Sequence, residues 1–230
     1  MMSLMLICAL LPVVAMAAVS NAGCGSTKAC FKSPEGCTLY TDCTFFLSYV
    51  DNAEMSAVDF EMLADRSGTD GSGWAGVGFS TDKSMGSDSV VMCMKPASEE
   101  GAVQTAFTTG TTNALTGTDG LSNGVVTVTN NILECSFTRN YSINGNANFY
   151  DIESTSYYFL IGTGPITSGT PTEHEDYPCA SDMKLDITSK DDIMCSDAHH
   201  SSEESNNVAI MSPAAHLIIF MCGLVMALFY

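Results

Sequence analysis

The chain has 230 residues, 10 cysteines and a formal net charge of −18, from 26 Asp and Glu against only 8 Lys and Arg. So few cations exclude a surface that neutralises a phosphate backbone, and no nucleic-acid partner is expected. A hydrophobic share of 46% excludes wholesale disorder, while a charged share of only 15% leaves Ser, Thr, Asn and Gly to supply much of the polar surface. That mixture, with so many cysteines, points to a β-rich secreted domain.

Residues 1–17 form an apolar run too short to span a bilayer. Ala15-Met16-Ala17 has the small-x-small pattern of a secretory signal, and Ser20-Asn21-Ala22 offers an alternative cut after residue 22. Cys24, Cys30, Cys37 and Cys43 then crowd into twenty residues, a pattern expected of a stapled N-terminal knot. Period-two alternation between Gly, Ser, Thr, Asn and Asp breakers follows, and no amphipathic helix interrupts residues 24–200. Residues 46–50 are one such strand. Residues 55–63 alternate at Val58, Phe60 and Met62, then meet the turn-forming stretch 66–73. In the next run Trp74, Gly76 and Gly78 share one face and Ala75, Val77 and Phe79 the other. Residues 89–94, 125–128 and 132–138 continue the series, the last with Leu133, Cys135 and Phe137 on one face. Residues 157–161 are apolar throughout and expected inside the sandwich, and 184–188 are expected to close the sheet. Eight or more short strands predict an antiparallel β-sandwich.

Setting aside Cys8 in the signal and Cys222 in the tail leaves Cys24, Cys30, Cys37, Cys43, Cys93, Cys135, Cys179 and Cys195. Eight cysteines in a secreted domain make up to four disulfides, with about 105 connectivities open to them. Structural zinc fails on spacing, because no Cys-x-x-Cys pair occurs. Asn140-Tyr141-Ser142 is the single glycosylation sequon. Residues 171–204 hold ten acids and two lysines, a net −8, which reads as a solvated stalk, with 196–213 as stalk and spacer. Small residues at Ser205, Asn206 and Asn207, a spacer, and seventeen nearly unbroken apolar residues over 214–230 follow the order of a GPI-attachment signal. The alternative for that tail is a short transmembrane helix. Either way the domain is expected on the extracellular face of the plasma membrane, reached through the secretory pathway.

Three segments carry a family resemblance. Residues 74–93 contain a strand ending W-x-x-x-G-F-S, an Asp-x-x-Met-Gly turn, and an acid leading into an apolar strand; this resembles the central signature of DOMON domains. Residues 24–37 are similar to the cysteine-rich opening of the DOMON module in the ferric-chelate reductase family, and Cys135-x-Phe137-x-Arg139 to a later strand of it. The resemblance spans roughly 24–195 and implies an immunoglobulin-like sandwich. It also implies a b-type haem at one end of the sandwich, held between an axial Met and an axial His. Carried onto this chain, these are Met85 of the Asp-x-x-Met-Gly turn and His174, with Trp74 in the same pocket.

The histidines narrow that choice. His216 lies in the tail and His199 and His200 in the stalk, which leaves His174 as the imidazole of the folded domain. A thioether opposite an imidazole favours reduced iron and fills both axial positions, suiting electron transfer rather than oxygen activation. The function expected is a cell-surface redox component with an extracellular redox or membrane-protein partner. With one terminal apolar segment, it is not expected to be a complete ferric reductase. The alternatives are a haem-free interaction, accessory or matrix module, and carbohydrate or small-ligand binding in the same pocket. Hydrolase signatures such as Gly-x-Ser-x-Gly and His-Glu-x-x-His do not occur.

Overall fold

A computed structural model describes residues 18–174 and 179–197. The signal at 1–17, His199, His200, Ser205, Asn206, Asn207 and the tail at 214–230 lie outside the described residues.

The alternating runs become strands in order: β1 (Ala29–Ser33), β2 (Phe45–Asn52), β3 (Ala57–Asp65), β4 (Gly73–Ser80), β5 (Ser89–Lys95), β6 (Ala102–Thr109), β7 (Thr112–Gly117), β8 (Leu121–Thr129), β9 (Ile132–Asn140), β10 (Tyr158–Gly164), β11 (Ile166–Thr167), β12 (Thr170–Pro171), β13 (Cys179–Ser181) and β14 (Cys195–Asp197). One sheet has the order β1-β2-β3-β9-β8 and the larger one β14-β13-β10-β4-β5-β6-β7, while β11 and β12 form a separate hairpin. Every strand pair is antiparallel, and the sandwich class read from the alternation holds.

The two sheets meet through the predicted inward faces: Val58, Phe60, Met62 and Ala64 of β3 and Leu133, Cys135 and Phe137 of β9 against Ala75, Val77 and Phe79 of β4. Phe60 stacks on Phe137 at 5.1 Å and meets Phe79 edge-on at 6.1 Å, and Phe79 meets Phe159 at 5.2 Å. Each such pair adds about 0.5–1.5 kcal/mol beyond its buried area. Four disulfides staple this frame: Cys24–Cys30, Cys37–Cys43, Cys93–Cys135 and Cys179–Cys195. The first two close successive short loops without interlacing, so the N-terminal cysteines make two clips rather than a knot. Cys93–Cys135 ties β5 of one sheet to β9 of the other.

Three expectations are corrected. Within 157–161 only Tyr157, Phe159 and Ile161 join the core; Tyr158 and Leu160 alternate to the outer face of the larger sheet and are half-buried. Residues 184–188 form no strand. Leu185 and Ile187 bury themselves in the core from a loop, and β13 and β14 extend that edge of the sheet instead. The acid-rich run is also not stalk from residue 171, because 179–197 contribute two strands and the buried Ile193. Asp182, Asp186, Asp191 and Asp192 decorate this part of the sandwich.

That loop is tied to β2 by Tyr49, which is 1% exposed and donates its hydroxyl to the Asp186 carbonyl at 3.2 Å. Burial, with Asp186 and Asp191 nearby, holds the phenol well above its ordinary value. A raised phenol stays protonated in the folded chain while the unfolded chain ionises, so its contribution is lost as pH rises beyond about 10. Denaturation across an alkaline pH series should therefore show a steeper loss for wild type than for Tyr49→Phe; equal slopes would contradict this assignment. Asn140, the sequon asparagine, is exposed at the end of β9.

Candidate functional site

Trp74, Gly76, Gly78 and Ser80 point away from the core because Ala75, Val77 and Phe79 point into it. Antiparallel register then builds a shelf on the outer face of the larger sheet. Gly76 stands opposite Gly162 of β10 on one side and Met92 of β5 on the other; Gly78 faces Leu160 and Val90; Trp74 faces Gly164 and Met94. Trp74, Met92, Met94 and Ala106 are buried together there, with Val90 and Ile166 packed against them.

Two opposed glycines leave a floor without side chains, and the Trp74 indole lies over it. A Cβ at Gly162 would stand 3.5 Å from the indole and 3.8 Å from the His174 Cβ. At Gly164 it would stand 2.8 Å from both the indole Nε1 and the Glu173 carbonyl, closer than the packing tolerates. The indole Nε1 donates to the Thr172 carbonyl at 3.1 Å, binding the segment after the β11–β12 hairpin down onto the ring. Below the ring, Thr163 donates to the Trp74 carbonyl at 2.7 Å and receives Arg66 Nη1 at 3.1 Å, which locks the strand ends together.

Trp74 and His174 are thus brought together, with His174 exposed at the border of the shelf. Met85 is half-buried in the loop 81–87 that follows the other end of β4. Trp74 and Ser80 are six residues apart on an extended strand, roughly 20 Å. The Met85 loop is packed against the turn after β6, where a Cβ on Gly86 would stand 3.5 Å from the Gly110 carbonyl. Two cations lie at this loop end of the shelf: Lys83 Nζ is 5.6 Å and Lys184 Nζ 5.7 Å from the ring centre of Tyr158. Lys184 stands in a segment expected only to close the sheet, and no motif marks it as a neighbour of the shelf.

A family model for the DOMON domain matches residues 41–164. The chain belongs to the DOMON family. The matched span contains the shelf strands and the Met85 loop, whereas His174, Lys184 and five of the eight paired cysteines, Cys24, Cys30, Cys37, Cys179 and Cys195, lie outside it. The DOMON protein is 32% identical over 196 residues to human DOMON domain-containing protein FRRS1L, covering 84% of this chain and 64% of that protein. It is 30% identical to putative ferric-chelate reductase 1 of Danio rerio, covering 70% of this chain and 27% of the relative. Human ferric-chelate reductase 1 is 26% identical, with 74% and 27% covered. The chain therefore spans under two thirds of FRRS1L and about a quarter of the reductases. Among solved structures, the cytochrome domain of Myriococcum thermophilum cellobiose dehydrogenase aligns with a TM-score of 0.40 and 12% identity, over 57% of this chain and 70% of that one.

Haem is the group implied by the family resemblance, and the residues present fit it in kind. The shelf is apolar and glycine-floored, as a flat macrocycle requires. An imidazole borders it, a thioether lies in the loop at its other end, and the ammonium groups of Lys83 and Lys184 beside Tyr158 would supply counter-charge to propionates.

Proposed function

We propose that this DOMON domain binds one b-type haem, with Met85 and His174 as axial ligands and Trp74 lining the pocket, and relays single electrons at the cell surface. The observation that carries the reading is the shelf on which Gly76 and Gly162 face each other in register, with His174 at its border. When bound, the haem supplies the one-electron couple. His174 would offer a ring nitrogen, and the Met85 thioether would bias the couple toward the reduced state. Met92, Met94 and Val90 exclude water, and Lys83 and Lys184 offset anionic charge in a chain that is otherwise strongly acidic. Only the redox module is proposed for this chain; the reductase activity named in its relatives is not.

Trp74 is the one tryptophan, so its emission reports directly on the shelf. Haemin titration should quench it as a Soret band grows, and His174→Ala should weaken uptake by about tenfold or more. Unquenched emission with no Soret band overturns the proposal. That same outcome would favour the haem-free interaction module, a reading supported by the indole already seated on the glycine floor.

Four disulfides suit an oxidising compartment, so the proposal includes entry by the 1–17 signal, a glycan on the exposed Asn140, and a lipid tether replacing 214–230 near Ser205, Asn206 or Asn207. Among the described residues no helix is long and apolar enough to cross a membrane. A phosphatidylinositol-specific phospholipase should release the domain from intact cells; retention would assign the tail to a transmembrane helix.

A further inference from the structure

The backbone turns sharply just after Met85. Gly86 and Ser87 both have positive φ, +141° and +60°, and the left-handed conformation costs a non-glycine residue about 1–2 kcal/mol. Something outside the loop must hold it.

Two groups do so, the buried Asp88 and the half-buried Tyr150. Asp88, 1% exposed, accepts the Gly86 N–H at 2.6 Å on Oδ2, the oxygen that also accepts the Thr108 hydroxyl at 2.9 Å. The Asp88 N–H donates to the Thr108 hydroxyl oxygen at 2.7 Å, the Thr108 N–H to the Asp88 carbonyl at 3.0 Å, and the Ser87 N–H to the Thr108 carbonyl at 2.9 Å. From the other side the Tyr150 hydroxyl donates to the Ser87 carbonyl. Its ring is stacked on Tyr157 at 5.2 Å and is edge-on to Phe107 at 6.3 Å.

Tyr150 is itself braced from the core. Arg139 is completely buried, with its guanidinium 4.5 Å from the Phe79 ring and 3.9 Å from the Phe149 ring. It donates to the carbonyls of Asn140 at 2.9 Å, Tyr141 at 3.2 Å and Tyr150 at 2.8 Å. By contrast, the bonds before Met85 are local to the loop: Asp82 N–H to Ser80 Oγ at 3.2 Å and Ser84 N–H to Asp82 Oδ1 at 2.7 Å. The residues after Met85 tie the loop to β6 and to Tyr150 by hydrogen bonds, while Lys83 before it lies over the Tyr158 ring. Burying a carboxyl group and a guanidinium is expensive, and neither makes a salt bridge among the described residues. Asp88 holds the Gly86 N–H and the Thr108 hydroxyl, and Arg139 holds three backbone carbonyls, that of Tyr150 among them.

We propose that Asp88 and Tyr150, the latter braced by Arg139, are positioning residues that fix the Met85 loop and so present the thioether for ligation. The ligation half of this rests on the haem proposal above. Tyr150→Phe removes one hydroxyl and Asp88→Ala one acceptor, while Asp88→Asn keeps an acceptor for the Gly86 N–H. In the haem-free protein, amides 84–87 should exchange about three- to tenfold faster in Tyr150→Phe and Asp88→Ala, with Asp88→Asn restoring wild-type exchange and the β3 and β9 amides unchanged. In haem-loaded protein the first two variants should lose the sulfur-to-iron charge-transfer band and bind haemin about tenfold more weakly. Loop exchange unchanged in both variants overturns the positioning role whether or not wild type takes up haemin. Faster exchange with the sulfur-to-iron band intact overturns the link to ligation. A wild type that takes up no haemin fails the haem proposal separately, and the exchange experiment still decides the loop assignment.

Discussion

Arg139→Ala is expected to destabilise the sandwich by about 3–5 kcal/mol, an effect large enough to consume much of a domain's stability. The carbonyls of Asn140, Tyr141 and Tyr150 would lose the guanidinium as donor, although that of Tyr141 keeps the Ile152 N–H at 3.1 Å. A buried acceptor left without any donor costs about 1–3 kcal/mol before relaxation. The rings of Phe79 and Phe149 would also face a void where the guanidinium had been. Burial pulls the Arg139 pKa down to about 9, so the group is charged at pH 7 in both folded and unfolded chains. The loss should accordingly be flat through neutral pH. Arg139→Met refills the volume without restoring the donors and should recover only part of it. Urea denaturation measures both; an Arg139→Ala loss below about 1 kcal/mol would show that the three carbonyls find other donors.

Removing Cys93–Cys135 should cost about 4 kcal/mol, more than either N-terminal clip, because it closes a far longer loop. Its cysteines are 42 residues apart, against 6 for Cys24–Cys30 and for Cys37–Cys43, whose loops are worth about 2 kcal/mol each. It also joins the two sheets through the middle of the core, so its loss frees one sheet to shift against the other. The paired variant Cys93→Ala with Cys135→Ala avoids leaving a reactive thiol. Thermal unfolding should show a drop of many degrees for this pair and a smaller one for either clip. Equal drops for all three would contradict the loop-length argument.

What could be read from the sequence follows from how each strand is buried. β3, β4 and β9 each have one face in the core and one outside, and the resulting period-two pattern is legible without any structure. β6 and β7 were missed because Thr105, Thr108, Thr109, Thr112 and Thr116 blur the contrast, and β7 has no buried residue at all. β13 and β14 are three residues each, held by Cys179–Cys195, and the acids around them read as stalk. Leu185 and Ile187 show the opposite failure, strand-like alternation that packs from a loop. At the candidate site, Met85, Trp74, Asp88 and Arg139 all stand in the quoted motifs, whereas Tyr150 stands in none. The contacts of Asp88, Tyr150 and Arg139 were not legible, since these residues act largely on backbone N–H and C=O groups that no side-chain pattern records.

The central claim is that Met85 and His174 take the two axial positions of one haem. The visible and near-infrared spectrum of the haem-loaded ferric protein tests it most directly. A low-spin spectrum is expected, with a sulfur-to-iron charge-transfer band that disappears in Met85→Ala and a loss of low-spin character in His174→Ala. A protein that stays colourless with added haemin, or one whose spectrum is the same in both variants as in wild type, would contradict it.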